Sequence, residues 1–230
     1  MTLIESPHAL PAMASQDSAL CAVKYYLSMV VDDTRKIRAT YQAHQLLWRG
    51  FSHIPDTGGV QPFRFRREEL KHPSFSARPG AASFLVQSQH APDWTGLAGL
   101  VCQTKTVKLE LAQGMRLAFR VRCPIYRSQR DSTGKRTKIL IRSSAGIEAW
   151  FRERAPTAGF EPFSLTFSAP SRDRLSVPVK DAEARDFSLN AVTFEGVLEV
   201  ISPQRLAHAL CNGFGPKPAL GMGLLSVAAA

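Results

Sequence analysis

Three runs of period-two alternation constrain this chain more than any other feature. From Tyr25 to Val31, residues Tyr25, Leu27, Met29 and Val31 share one face. From Arg116 to Arg122, Leu117, Phe119 and Val121 take one face, and Arg116, Arg120 and Arg122 take the other. From Val192 to Val200 the buried set is Val192, Phe194, Leu198 and Val200. Side chains that repeat every two residues belong to strands with one side turned to a core. Helical signals stand between these runs. Asp33 or Thr34 can cap a helix reaching about Phe51, with Ile37, Tyr41, Trp48 and Phe51 as its apolar stripe and His44 in the middle of that stripe. Ser144 to Arg154 reads as a second helix. Ser202, Pro203 and Gly213 mark the cap, first residue and end of a third.

The remaining elements complete an order. Pro62–Arg67 and Ser83–Ser88 read as strands, Trp94–Leu100 as a short helix and Thr106–Leu111 as a strand. With the first run and its helix this gives strand, helix, strand, strand, helix, strand. The same order recurs after Gly114, through Arg116–Arg122, Ser144–Arg154, a strand near Phe163–Phe167, Val192–Val200, the third helix and a closing strand at Gly221–Val227. The expected fold is therefore α+β, with two tandem ferredoxin-like (RRM-like) βαββαβ domains over residues 23–112 and 113–230. Residues 1–22 are expected to be a flexible extension.

Composition narrows the partner. Hydrophobic residues make up 44% and charged residues 21% of the 230, enough apolar mass for a core. No run approaches the roughly 20 apolar residues that cross a bilayer, and the start has no basic–apolar secretory pattern, so a cytoplasmic protein without membrane partners is expected. Lys and Arg outnumber Asp and Glu by 29 to 19, for a net charge of +10. The excess is uneven. Between residues 100 and 142 lie Lys105, Lys108, Arg116, Arg120, Arg122, Arg127, Arg130, Lys135, Arg136, Lys138 and Arg142, opposed only by Glu110 and Asp131. An ordinary surface mixes its signs, so a polyanion, nucleic acid above all, is the expected partner. The stretch Arg127–Lys138 turns at Ser132-Thr133-Gly134 and is expected to be a loop or hairpin. Cys21, Cys102, Cys123 and Cys211 are far apart and read as small buried hydrophobes. No histidine spacing suits a metal, so neither a metal nor a cofactor is expected.

The C-terminal segment Gly213-Phe-Gly-Pro-Lys-Pro-Ala-Leu-Gly-Met-Gly-Leu-Leu-Ser lets the backbone run close to another backbone or to a phosphate. This segment, Tyr41-Gln-Ala-His44-Gln-Leu-Leu-Trp48, Leu117-Ala-Phe-Arg120-Val-Arg122-Cys-Pro124 and Val192-Thr-Phe-Glu195-Gly196-Val-Leu together resemble the CasE family. These are the CRISPR RNA-processing endoribonucleases of the type I-E Cascade complex. The resemblance runs in order from about Tyr25 to Val227. It departs at the glycine segment, where the cation is Lys217, one place before the family's, and Pro218 takes the family's position.

The resemblance implies recognition of a palindromic repeat RNA stem-loop and metal-independent cleavage at the 3′ base of that stem. It also implies docking, as a monomer, with the other subunits of Cascade. The chemistry suits the residues. RNA brings its own nucleophile, the 2′-hydroxyl, so an enzyme need only align it, move its proton and stabilise the leaving 5′-oxygen. His44 matches the family's catalytic histidine. A histidine in an apolar stripe is otherwise a packed core residue. Tyr41, one turn earlier, can orient the imidazole or the 2′-oxygen, or be a core aromatic. Whether His44 serves as base, acid or both stays open. RNA contacts are expected from Lys105, Arg120, Arg122, Arg127, Arg130, Lys135, Arg136, Lys138, Gly213, Gly215 and Lys217, since an A-form stem offers phosphates and 2′-hydroxyls more readily than base edges. Two other readings stand beside this: a stem-loop-binding subunit that does not cleave, and a generic basic RNA-binding protein.

Overall fold

The computed structural model describes residues 20–34, 37, 40–55, 61–69, 81–130, 132, 134–179, 182–215 and 220–230. In chain order the elements are β1 (Leu20–Asp32), α1 (Thr40–Arg49), β2 (Phe63–Glu68), β3 (Ala82–Ser88), β4 (Leu100–Ala112) and β5 (Arg116–Pro124). There follow β6 (Tyr126–Arg130), β7 (Arg136–Leu140), α2 (Ser144–Arg154), β8 (Phe160–Phe167), β9 (Ser171–Val179), β10 (Ala182–Val200), α3 (Pro203–Asn212) and β11 (Ser226–Ala229). The first sheet has the order β2-β3-β1-β4 and the second β11-β5-β10-β8. Both ladders are antiparallel throughout. In each, the first and third strands of the unit lie in the middle and the last and second at the edges, which is the ferredoxin-like arrangement. The expected tandem fold is what the chain adopts.

Several expected elements differ in detail. β1 begins at Leu20, so residues 20–22 belong to a strand and not to an extension; residues 1–19 lie outside the described residues. No helix forms at Trp94–Leu100. There the Asp93 carboxylate accepts from the backbone and hydroxyl of Thr95, and Gly99 has φ +85°, so the chain turns where a helix would have to continue. The first helix starts at Thr40, later than Asp33 or Thr34 would place it. The Asp32 carboxylate instead accepts from Thr34 N at 3.0 Å and from Ile37 N at 2.7 Å and ties the chain into a turn. Ser202 occupies the N-cap of α3, but its buried hydroxyl makes no capping hydrogen bond. The closing strand is confined to Ser226–Ala229, because Gly221 and Gly223 sit at positive φ. The basic stretch is a β-hairpin, β6 pairing with β7. Of the cysteines only Cys123 is buried; Cys21, Cys102 and Cys211 are half-buried.

Two cores fill the molecule. Ala43 and Leu47 of α1, with Phe51 in the turn that follows, pack onto Val30, Phe63, Phe65, Phe84 and Val86 of the first sheet. The larger core holds Leu117, Phe119 and Val121 of β5, Trp150 and Phe151 of α2, Phe194 of β10 and Leu206, Ala209 and Leu210 of α3. Val23, Tyr25 and Leu111 of the first sheet join this second core. β1 is therefore covered on both faces: Val23 and Tyr25 meet α3, and Val30 lies under α1. α3 packs against β1, β2 and β4 and shares a core with β5 and β10 of its own sheet, and the Gln87 amide donates to the carbonyl of Leu210. Fully burying a Phe or Leu contributes about 1.5–3 kcal/mol, so these shared residues bind the two halves into one body. Among the described residues no helix is long and apolar enough to cross a membrane.

Candidate nucleic-acid interface

His44 stands on α1 at the flank of the buried stripe. The residues driven fully inward are Ala43 and Leu47, while Tyr41 and His44 are half-buried and Trp48 is 40% exposed. The expected stripe therefore runs along the edge of the true core face, about one residue away on the helical wheel. The imidazole is walled by aromatic rings, with centroids 6.2 Å from Tyr41, 6.1 Å from Trp48, 6.0 Å from Phe63 and 6.3 Å from Phe65. Burial holds its pKa below the ordinary value, and the neighbouring Gln61 amide opposes that shift. A neutral imidazole that keeps a route to solvent can accept a proton, which a sealed core histidine cannot.

The glycine-rich segment comes to the same place. Arg64 Nε on β2 donates to the carbonyl of Asn212, just ahead of Gly213, at 2.8 Å. Farther along, Gly221 abuts the Phe65 ring and Thr40, the first residue of α1; a Cβ there would lie 3.1 Å from the ring and 3.4 Å from the Thr40 methyl. Gly213 and Gly215 both have positive φ, +87° and +80°. The close approach that the glycines permit is to the chain's own backbone: Phe214 N donates to Gly223 O and Gly223 N to Arg122 O, both at 2.7 Å. Lys217 and Pro218 lie outside the described residues.

The basic side chains occupy three surfaces. Arg120 and Arg122, on the polar face of β5, line a cleft of about 800 Å³ between the sheets together with Phe65, Arg66, Arg172 and Gly221. Phe65 thus borders both this cleft and the imidazole. Arg127, Arg130, Lys135, Arg136 and Lys138 are exposed on the β6–β7 hairpin, away from that cleft. Lys138 lies over the Tyr126 ring at 4.7 Å. Lys105 is exposed on β4, the edge strand of the first sheet. Arg120 is half-exposed and already paired, with Glu68 at 3.0 Å and Glu195 at 2.8 Å. Arg122 donates to the Ser171 hydroxyl at 2.6 Å.

The strand expected at Pro62–Arg67 forms as β2, but sequence reasoning gives its side chains, Phe and Arg alternating from Phe63 to Arg66, no role in the site. The two phenylalanines wall the imidazole. Arg66, only 3% exposed, crosses between the sheets. It donates to the carbonyls of Arg120 (2.9 Å) and Leu224 (3.0 Å), to the Ser226 hydroxyl (3.0 Å) and to Glu68 (2.7 Å). A Phe-Arg-Phe-Arg run was the available signal, since arginine in a strand with one apolar face must find acceptors on the other. His53, His90 and His208 are exposed; His8 and His72 lie outside the described residues. Among the described residues no three His, Cys, Asp or Glu side chains gather as a metal site.

Fold and site together define an α+β protein of tandem ferredoxin-like units, with a half-buried histidine set beside a glycine-rich turn and flanked by cationic faces. Comparison with known proteins assigns the lineage. The chain belongs to the CRISPR-associated protein family, described as "CRISPR associated protein", which matches residues 20–229. It is similar to the CRISPR system Cascade subunit CasE of Escherichia coli, 30% identical over 211 residues, 88% of this chain and 98% of that protein. It is likewise similar to the CRISPR-associated endoribonuclease Cse3 of Thermus thermophilus, 32% identical over 214 residues, 84% of this chain and 92% of that one. Thermus thermophilus Cse3 bound to an RNA representing a pre-cleavage complex superposes with a TM-score of 0.66 at 28% identity, covering 90% of this chain and 99% of that chain.

Proposed function

We propose that the protein is a CRISPR RNA-processing endoribonuclease, acting in the cytoplasm and holding its product as a subunit of Cascade. It binds the repeat stem-loop and cuts at the 3′ base of the stem. Its relatives are named as an endoribonuclease and as a Cascade subunit, and one related structure holds RNA before cleavage. The observation in this chain that carries the reading is His44 itself: a half-buried imidazole, kept neutral by its aromatic walls, next to the glycine-rich turn.

The reaction follows from RNA's own chemistry. The 2′-oxygen adjoining the scissile phosphate attacks phosphorus as its proton leaves; the bond to the 5′-oxygen breaks, and that oxygen takes up a proton. The products are a 2′,3′-cyclic phosphate and a free 5′-hydroxyl, and the proton balance needs no metal. Neutral His44 takes the first proton, and the imidazolium so formed can return one to the leaving oxygen. The phenol of Tyr41, its ring 6.2 Å from the imidazole, orients the 2′-oxygen. The cationic faces and the glycine segment hold the stem, Arg120 and Arg122 from the cleft and the β6–β7 cations along the backbone phosphates. Lys105 adds charge at the sheet edge, and Lys217 extends the same contacts from the glycine segment.

The test is cleavage of the cognate repeat RNA in EDTA by the wild-type protein and by His44→Ala. Loss of cutting with retained binding in the variant is expected, at a cost of about 10²–10⁴-fold. Unchanged cutting by His44→Ala removes the catalytic role, and wild-type binding without cutting turns the assignment to a stem-loop-binding subunit.

A further inference from the structure

We propose that Gln61 is a positioning residue for His44: its side-chain carbonyl accepts from one ring N–H, fixing the tautomer and turning the other nitrogen toward the RNA. This rests on the catalytic role proposed for His44 and adds the group that orients it.

Three observations converge on Gln61. First, both polar atoms of its amide, Oε1 and Nε2, are shut off from solvent, and neither has a hydrogen-bond partner of normal geometry. Burying an amide without partners costs free energy, so such a group calls for a reason. Second, the amide is beside the imidazole, close enough to favour its protonated form. Gln61 leads into β2, two and four residues before Phe63 and Phe65, and by period-two alternation it shares the face on which those rings wall His44. Third, its backbone is fastened. Arg64 Nη1 donates to the Gln61 carbonyl at 2.9 Å and to that of Phe63 at 2.8 Å. Through Nε the same guanidinium holds Asn212, the last residue of α3 before the glycine segment.

One arginine therefore joins the stem of the glycine-rich turn to the residue that faces the imidazole. That tie holds the Gln61 amide beside the ring, within reach of a hydrogen bond to it. Catalytic hydrogen bonds are commonly long before substrate binds and tighten in the complex. An imidazole with one nitrogen engaged keeps a single orientation and a single tautomer.

The experiment compares single-turnover cleavage of a repeat stem-loop RNA across pH for wild type, Gln61→Met, Gln61→Glu and His44→Ala. Affinity is measured in parallel on the same RNA with a 2′-deoxy substitution at the cut. Gln61→Met keeps the length and loses the acceptor; it is expected to cut about 10²-fold more slowly at unchanged affinity. Gln61→Glu keeps the acceptor and adds a charge that favours imidazolium. It is expected to retain most of the rate and to move the acid limb of the profile upward. Wild-type rate and profile in Gln61→Met overturn the proposal. So does equal slowing of both Gln61 variants with the profile unmoved, which marks a packing role. Should Gln61→Met fail to bind, the Gln61→Glu profile decides alone. Full cutting by His44→Ala brings down the parent reading and this one with it; an inert His44→Ala beside a fast Gln61→Met brings down only this one.

Discussion

His44 combines two demands that usually conflict, because a proton acceptor must be reached by substrate while its charged form must be disfavoured. Half-burial among Tyr41, Trp48, Phe63 and Phe65 supplies both. Since burial penalises imidazolium, the folded pKa lies below the ordinary value near 6.5, and the neutral base persists to lower pH than a free imidazole would allow. The acid limb of cleavage at subsaturating RNA is accordingly expected below pH 6.5; a limb above the ordinary imidazole value contradicts this environment. The sign also reaches stability. A histidine with a depressed folded pKa contributes stability above its unfolded pKa and loses it as pH falls through the window between the two. The sequence placed His44 on a helix among aromatics. It could not tell a core histidine from a flank histidine, because Leu47 and Ala43, one position round the wheel, carry nearly the same periodicity. Gln61 gave no signal at all, since only the fold brings the start of β2 to α1.

At the level of elements, the glycine-rich turn and the β6–β7 hairpin make opposite predictions. Gly223 has φ +78°, and a Cβ on it would lie 2.6 Å from the carbonyl oxygen of Phe214. Gly223→Ala should destabilise by about 2 kcal/mol, lowering the melting temperature by roughly 4–8 °C in a calorimetric scan. The hairpin cations are exposed, so replacing Arg127, Arg130 and Arg136 by alanine should leave the melting temperature nearly unchanged while weakening RNA binding. For every phosphate that the variant no longer neutralises, the slope of log affinity against log salt should flatten by ~0.7–0.9; an unchanged slope would mean that the RNA bypasses the hairpin. Alternation made β5 and the Val192–Val200 half of β10 legible, and cap residues made α3 legible almost to the residue. β9 and the first half of β10, which pair with each other, were not read. The misplaced elements have local causes: the Asx-type turn at Asp93, Gly99 in the left-handed region, and the Asp32 carboxylate that delays α1.

Across the whole molecule, charge serves cohesion as well as binding. Arg66 sends hydrogen bonds to both halves, and Glu68 and Glu195 bind Arg120 beside it. Removing Arg66 from this set takes a donor from the buried carbonyls of Arg120 and Leu224 and leaves Glu68 with Arg120 alone. Arg66→Met should cost about 3 kcal/mol, readable by urea denaturation, and more than any single exposed hairpin substitution. The basic bias of residues 100–142 was visible in the sequence as one block. Its division into cleft, hairpin and sheet edge was not, because that depends on which strand neighbours which.

The placement of α3 carries a further consequence. Its Leu206, Ala209 and Leu210 lie in a core completed by Val23, Tyr25 and Leu111 from the other sheet, so neither sheet is finished without the opposite end of the polypeptide. A chain severed at the turn around Gly114 should yield an N-terminal fragment with a naked greasy face, insoluble by itself. Co-expression with the remainder should rescue it, as two complementary pieces of a single object.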